Sequence, residues 1–372
     1  MSRKIRVLFD ANPLARQKTG VGFFTEGIIQ ALTQIPELEL VGHYFASRGP
    51  RPKLPKADNL SFTANPWVLG QFIKALRKVR IRLPWELLSW RKADVLFFPD
   101  FTTWPSLFRA PKILVIHDLT FIDCPQYVRK RNLHFLRRYV PGDARRADAI
   151  LATSRYSKDR LIKSFGLPPE KIIVEPIPPP KPIAPKKRIS LPAKFILFIG
   201  TIEPRKNIGG LVEAYRRLPE KLRTNYALVI AGGQGWDSDD VTSHIKRLQA
   251  DGCDVVMTGY VDNAARAALY GKASLVALPS FYEGFGMPVL EAMSYGVPLV
   301  VSDLPVLREM VGSAVIYFNP SSVDSIKDAL VKILTDDKLR ENQVKKFPGL
   351  LKRYSWQTMA ADLYKEIGRL AG

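Results

Sequence analysis

Two glutamates separated by seven residues, Glu283 and Glu291, lie in Pro279-Ser-Phe-Tyr-Glu-Gly-Phe-Gly-Met-Pro-Val-Leu-Glu-Ala-Met-Ser-Tyr-Gly-Val-Pro298. The segment reads as a strand ending near Leu278, a glycine-bearing turn, and a helix opened by Pro288 and stopped near Gly296. Exposed amides at such a helix start favour a phosphate. Glu283 falls in the turn, where its carboxylate can face a reacting group. Glu291 falls in the helix, either accepting hydrogen bonds from a diol such as ribose or simply solvated. Arg205 and Lys206 follow another strand end at a proline-containing turn. Two adjacent cations there can neutralise a diphosphate and support a leaving group that gains negative charge, although an exposed basic turn would read the same way.

His117 ends the apolar run 113–116 and so belongs to the carboxyl edge of a sheet, with Asp118 beside it to orient the imidazole or to cap the next turn. Gly20 and Gly22 follow the first strand, open a helix and permit close backbone approach to a ligand. Their surroundings, Gly-Val-Gly-Phe-Phe-Thr-Glu-Gly, do not fit the dinucleotide fingerprint, which argues against hydride transfer. The four histidines are not at ligand spacing, so no metal is expected. Gly232 to Trp236 and Gly259-Tyr-Val261 follow two further strands and by position line a nucleoside pocket.

The elements that must hold these residues alternate short apolar runs with helical patterns, the rhythm of a parallel sheet covered by helices. Runs at 6–10, 95–98, 113–116, 149–152 and 172–174 belong to a first α/β domain, 1–178. A connection rich in proline and charge, 179–190, follows. The rhythm restarts at 195–200 and continues at 227–231, 255–257 and 275–278, with its strands ending near 299–302, in a second domain, 191–355. A last helical pattern, 356–372, lies far enough from these strands to pack elsewhere.

Three segments carry a resemblance. Ser-x-Tyr-Glu-Gly-Phe-Gly-x-Pro-x-x-Glu-Ala-Met around Glu283 and Glu291 looks like the signature of glycosyltransferase family 4. Gly200-Thr-Ile-Glu-Pro-Arg-Lys-Asn207 resembles a segment of its mannosyltransferase-like branch, and Val115-Ile-His-Asp-Leu-Thr120 is a third match. With Gly20, Gly22 and Gly259-Tyr-Val261, the similarity runs through nearly the whole chain in order.

The resemblance implies a GT-B type α/β fold, two doubly wound Rossmann-like domains facing across a cleft, with the C-terminal helix crossing back to the first. It implies a retaining, metal-independent hexosyltransferase without a cofactor, using a nucleotide sugar, GDP-mannose or a UDP-sugar. His117, Glu283, Arg205 and Lys206 would then be catalytic, closure bringing His117 to the sugar. Gly20, Gly22, Asp118, Thr201, Val261, Gly284, Phe285, Gly286 and Glu291 would bind the donor. Two departures stand out: Glu175-Pro-Ile-Pro-Pro-Pro replaces a common Asn-Gly-x-Asp turn, and Thr201 stands where other branches place an arginine. A sugar-nucleotide epimerase or hydrolase on the same plan is the rival reading.

Composition bounds the setting. The 372 residues carry a net charge of +21. Residues 1–180 hold 30 Lys and Arg against 15 Asp and Glu, while the rest hold 26 against 20. The first half therefore expects an anionic partner. Segment 66–92, with seven cations, one anion and three tryptophans, and the cluster 129–138 have the composition of surfaces that lie on anionic membranes. A lipid-linked or glycan acceptor fits that setting, with the protein cytoplasmic and peripheral to the inner face of the plasma membrane. No nucleic-acid-binding signature accompanies the charge. No apolar run spans a bilayer, no secretory leader is apparent, and Cys124 and Cys253 match no disulfide or zinc pattern.

Overall fold

The computed structural model describes residues 3–15, 20–45, 54–65, 83–184 and 190–372. They form two compact units. The first comprises Met1–Asp123, Lys130–Ile177 and Ser355–Gly372; the second comprises Cys124–Arg129 and Pro178–Tyr354.

The first unit is built on seven strands: β1 (Ile5–Asp10), β2 (Leu38–Phe45), β3 (Leu60–Asn65), β4 (Val95–Phe98), β5 (Lys112–Ile116), β6 (Ala149–Ala152) and β7 (Ile172–Val174). All pair in parallel, in the order β3-β2-β1-β4-β5-β6-β7. Strands β4 and β6 are buried throughout, which is why they read as plain apolar runs. Strands β2 and β3 are additions to the sequence reading. Glu39, Gly42 and His43 interrupt the first, and the edge strand Leu-Ser-Phe-Thr-Ala-Asn is largely half-exposed, so neither shows a continuous apolar run.

The second unit has β8 (Phe195–Ile199), β9 (Ala227–Ala231), β10 (Val255–Gly259), β11 (Leu275–Leu278), β12 (Leu299–Ser302) and β13 (Ile316–Phe318), all parallel, in the order β10-β9-β8-β11-β12-β13. The strands do not end at β12 as expected. β13 is three residues long with only Phe318 fully buried, too short for a periodic signal. Cys253 packs beside the core of this unit. Tyr127, carried by the segment Cys124–Arg129 that joins this unit, stacks on Phe281 with ring centroids 5.5 Å apart.

The helix Trp356–Ala371 belongs to the first unit. Ser355 caps it by accepting from the Thr358 amide, and Met359, Ala360, Leu363 and Ile367 form its buried stripe. Trp356 lies over the helix Gly20–Leu32, where a Cβ on Gly27 would come within 2.3 Å of the indole. The described part of the connection forms no helix or strand, and the amide of Ile183 donates to the Tyr295 hydroxyl at 3.1 Å. Residues 185–189, within the expected linker, lie outside the described residues. No helix among the described residues is long and apolar enough to cross a membrane.

Candidate active site

Both sheets reverse strand order, at β1/β4 in the first and at β8/β11 in the second, and in open parallel sheets ligands bind outside the strand carboxyl ends at such a point. In the second unit the two loops at the reversal are the one after β8, which carries Arg205 and Lys206, and the one after β11, which carries Glu283. The structure brings these three together. Lys206 Nζ donates to Glu283 Oε1 at 2.7 Å, and Arg205 Nη1 donates to Glu283 Oε2 at 3.0 Å. Arg205 also reaches the Tyr282 carbonyl at 2.7 Å and Glu203 at 2.7 Å, while Ser280 Oγ donates to Glu283 Oε1 at 2.6 Å.

Glu283 is 5% exposed and Lys206 7%. Burial alone would push the Glu283 carboxyl up, but Lys206, Arg205 and the Ser280 hydroxyl hold it at about 2, so it is a permanent anion. Burial pulls Lys206 down, opposed chiefly by Glu283. The carboxylate and the ammonium therefore each depend on the other for their charge.

The loop bearing the cations is fixed by backbone bonding to its neighbour. Gly200 N donates to Ala231 O, Ile202 N to Gly233 O and Gly235 N to Ile202 O. Gly232 has φ +157°, and a Cβ there would lie 1.8 Å from the Gly200 carbonyl oxygen. The 232–236 loop thus uses its glycines to approach the 200–202 backbone. Thr201 is exposed, Gly284 half-buried and Phe285 buried against Tyr354. Gly286 takes φ 111° at the N-cap of the helix Met287–Ser294, where a side chain would also strike Leu307.

Glu291 is neither solvated nor free: Arg266 Nη1 donates to its Oε1 and the Tyr270 hydroxyl to its Oε2, each at 2.8 Å. Burial pushes its carboxyl up against the pull of Arg266. Ser280 and Glu203 stand within the quoted motifs without an assigned role, whereas Arg266 and Tyr270 lie outside every motif. Their spacing of four on the helix Asn263–Lys272, just after the Gly259-Tyr-Val261 turn, places them on one face and is the signal that would have found them. Val261 is half-buried beside Tyr260, which is 56% exposed.

In the first unit His117 follows β5 and its Nε2 donates to the Pro99 carbonyl after β4 at 2.8 Å. A carbonyl only accepts, so Nε2 carries the proton and Nδ1 is left as an acceptor. Burial lowers the imidazole pKa, keeping it neutral, and the Phe24 ring stands edge-on 5.0 Å away. Asp118 accepts from the Thr120 amide at 2.9 Å, which makes it the cap of the following turn. Gly20 and Gly22 open a helix as expected: the helix Gly20–Leu32 starts at Gly20, with Gly22 buried in its first turn.

Residues 31–177 match the model described as Glycosyltransferase Family 4, and residues 181–347 match Glycosyl transferases group 1. The chain belongs to glycosyltransferase family 4. The O-antigen chain mannosyltransferase B of Escherichia coli is 29% identical over 387 residues, covering 97% of this chain and all of that protein. Among solved structures, a sucrose-phosphate synthase from Thermosynechococcus elongatus superposes with TM-score 0.75 at 17% identity, covering 99% of each chain. WaaG, a glycosyltransferase involved in lipopolysaccharide biosynthesis, gives 0.72 at 16%, covering 97% of this chain and 99% of that one. The two parallel α/β units and the C-terminal helix are thus those of a GT-B glycosyltransferase, and the Glu283 cluster lies within the part matched as group 1.

Proposed function

We propose that this family 4 enzyme is a retaining hexosyltransferase that moves mannose from GDP-mannose to a lipid-linked or glycan acceptor in cell-envelope polysaccharide assembly. The observation that carries the reading is the buried Arg205–Lys206–Glu283 cluster at the strand-order reversal of the second sheet. The name and full-length match of the mannosyltransferase relative support the sugar and the class of acceptor.

In the proposed reaction the bond between the sugar's anomeric carbon and the β-phosphate oxygen breaks, and the departing diphosphate gains negative charge. Arg205 and Lys206 neutralise it, which is the role a divalent ion would otherwise fill. The acceptor hydroxyl oxygen bonds to the anomeric carbon on the face the diphosphate leaves, and its proton passes to the leaving phosphate oxygen. The configuration is therefore retained with no carboxylate nucleophile. Glu283, held ionised, accepts hydrogen bonds from the sugar hydroxyls, Glu291 from the ribose, and the neutral His117 contributes an acceptor at Nδ1. The enzyme works on the inner, anionic face of the plasma membrane, to which the basic excess of residues 1–180 is suited.

The test is a donor panel with the purified full chain, GDP-mannose beside UDP-sugars, scoring nucleotide release with and without membrane lipid extract and then the anomer of the product. We expect extract-dependent GDP release from GDP-mannose, unaffected by EDTA, with a retained anomer. Preference for a UDP-sugar would replace the donor. An inverted anomer, or full activity in Glu283→Ala, would overturn the mechanism, and release independent of any acceptor would indicate hydrolysis.

A further inference from the structure

Four of the six exposed large apolar side chains among the described residues are Leu87 (49%), Trp90 (84%), Leu107 (50%) and Phe108 (51%). All four lie on one feature of the first unit. The short helix Trp85–Ser89 and the loop after it are tied to segment 105–110: Trp85 N donates to the Pro105 carbonyl at 2.9 Å, the Leu107 amide to Glu86 Oε2 at 3.0 Å, and the Ser106 hydroxyl to Glu86 Oε1. Trp85, fully buried and stacked on Trp104 at 5.6 Å, anchors the helix from below. The exposed residues therefore stand on a rigid base.

Trp90 is a bulky residue with φ 56° at the helix C-cap, a conformation that disfavours large side chains. The backbone accepts this strain at the residue that is 84% exposed. Three exposed cations adjoin these residues in the chain, Arg91 and Lys92 after Trp90 and Arg109 after Phe108, and Lys92 Nζ lies 5.0 Å over the Phe108 ring.

We propose that this ridge, Leu87, Trp90, Leu107 and Phe108 with Arg91, Lys92 and Arg109, is the element that enters the interface of an anionic bilayer. The proposal rests on the membrane-surface reading above and assigns it to a place. Trp at headgroup depth with Lys and Arg reaching lipid phosphates is the chemistry of a bilayer interface. A protein-binding patch would instead be depleted of lysine at its core. Leu107, Phe108 and Arg109 lie outside the two basic segments that composition singled out. Residues 66–82 of the first segment fall outside the described residues. In the second segment Arg137 donates its Nε to the Phe121 carbonyl, and Arg138 lies 5.7 Å from the Tyr139 ring.

The full chain is tested by flotation with vesicles of equal parts phosphatidylglycerol and phosphatidylcholine, and with phosphatidylcholine alone. The variants are Trp90→Ser/Phe108→Ser and, separately, Arg91→Gln/Lys92→Gln/Arg109→Gln; exposed sites like these leave folding intact, checked by thermal unfolding. We expect the wild type to float with the anionic vesicles only and each variant to lose at least about tenfold in partitioning. Bromine-labelled lipid should quench the wild-type tryptophan fluorescence more than that of Trp90→Phe. Wild-type binding that both variants retain would overturn the ridge while leaving the membrane reading standing. A wild type that floats with neither vesicle would overturn both. Equal flotation of all forms, with the variants losing a cross-linked protein partner, would make the ridge a protein interface and overturn the proposal.

Discussion

Glu283 and Lys206 are a pair in which removing one charge exposes the other. Breaking a buried ion pair leaves an uncompensated charge in a poorly solvated place, a cost of about 3–5 kcal/mol that the protein avoids by neutralising the survivor. In Glu283→Gln, Lys206 loses its chief upward influence and its ammonium becomes easier to deprotonate. We expect kcat to fall on the order of 100-fold. The residual affinity for nucleoside diphosphate should weaken as pH rises, over a range where the wild type is flat. Nucleotide-binding titrations across pH check the sign, and far-UV circular dichroism checks the fold. Ser280 could not be ranked by sequence, because its hydroxyl matters only through the 2.6 Å bond to Glu283 that the turn creates.

Among elements, the C-terminal helix is seated on the first unit by its buried stripe and by one especially close contact. Gly27 leaves room for the Trp356 indole, whose ring centroid lies 6.3 Å from that of Phe24. Alanine usually improves a helix interior by about 1 kcal/mol over glycine, but here its methyl would sit 2.3 Å from the ring, and overpacking costs about 1–3 kcal/mol. Gly27→Ala should therefore destabilise the first unit and speed hydrogen exchange in Trp356–Ala371. In a Trp356→Ala background the same change should become neutral or stabilising. A double-mutant cycle followed by urea unfolding measures that reversal. The helix itself was legible from its apolar spacing and its return to the first unit was implied by the resemblance, but its seat against Gly27 was not.

At the scale of the whole molecule, buried groups of the first unit pull its pH dependence in opposite directions, His43 and His117 one way and Glu175 the other. Burial lowers His43 from the ordinary 6.5 to about 4, and its Nε2 has no partner among the described residues. The unfolded chain then binds the extra proton between those values, so stability is lost as pH falls from 6.5 toward 4, by on the order of 3 kcal/mol. Glu175, where the first unit meets the connection, is raised by burial and by Asp362 from 4.5 to about 7. There the folded state holds the extra proton, so stability is gained as pH falls from 7 toward 4.5, by less because the group is partly solvated. Glu175→Gln should steepen the acid loss between pH 7.5 and 5, and His43→Leu should lessen it while leaving the part due to the buried His117, read from urea midpoints at the two pH values.

The sequence by itself determined the strands that are buried on both faces, such as Val95–Phe98 and Ala149–Ala152, because a parallel strand covered by helices must be apolar along its length. It also placed His117 at a strand end and Arg205, Lys206 and Glu283 in the turns after strands, since each comes soon after such a run. Only the tertiary structure decided what these side chains bond to. The Arg266 and Tyr270 clasp on Glu291, the glycine-mediated pairing of the loops after β8 and β9, and the ridge shared by Trp90 and Phe108 all join segments distant in the chain. Local propensity carries no record of such contacts, because burial and partner geometry arise only when the sheet order brings those loops side by side.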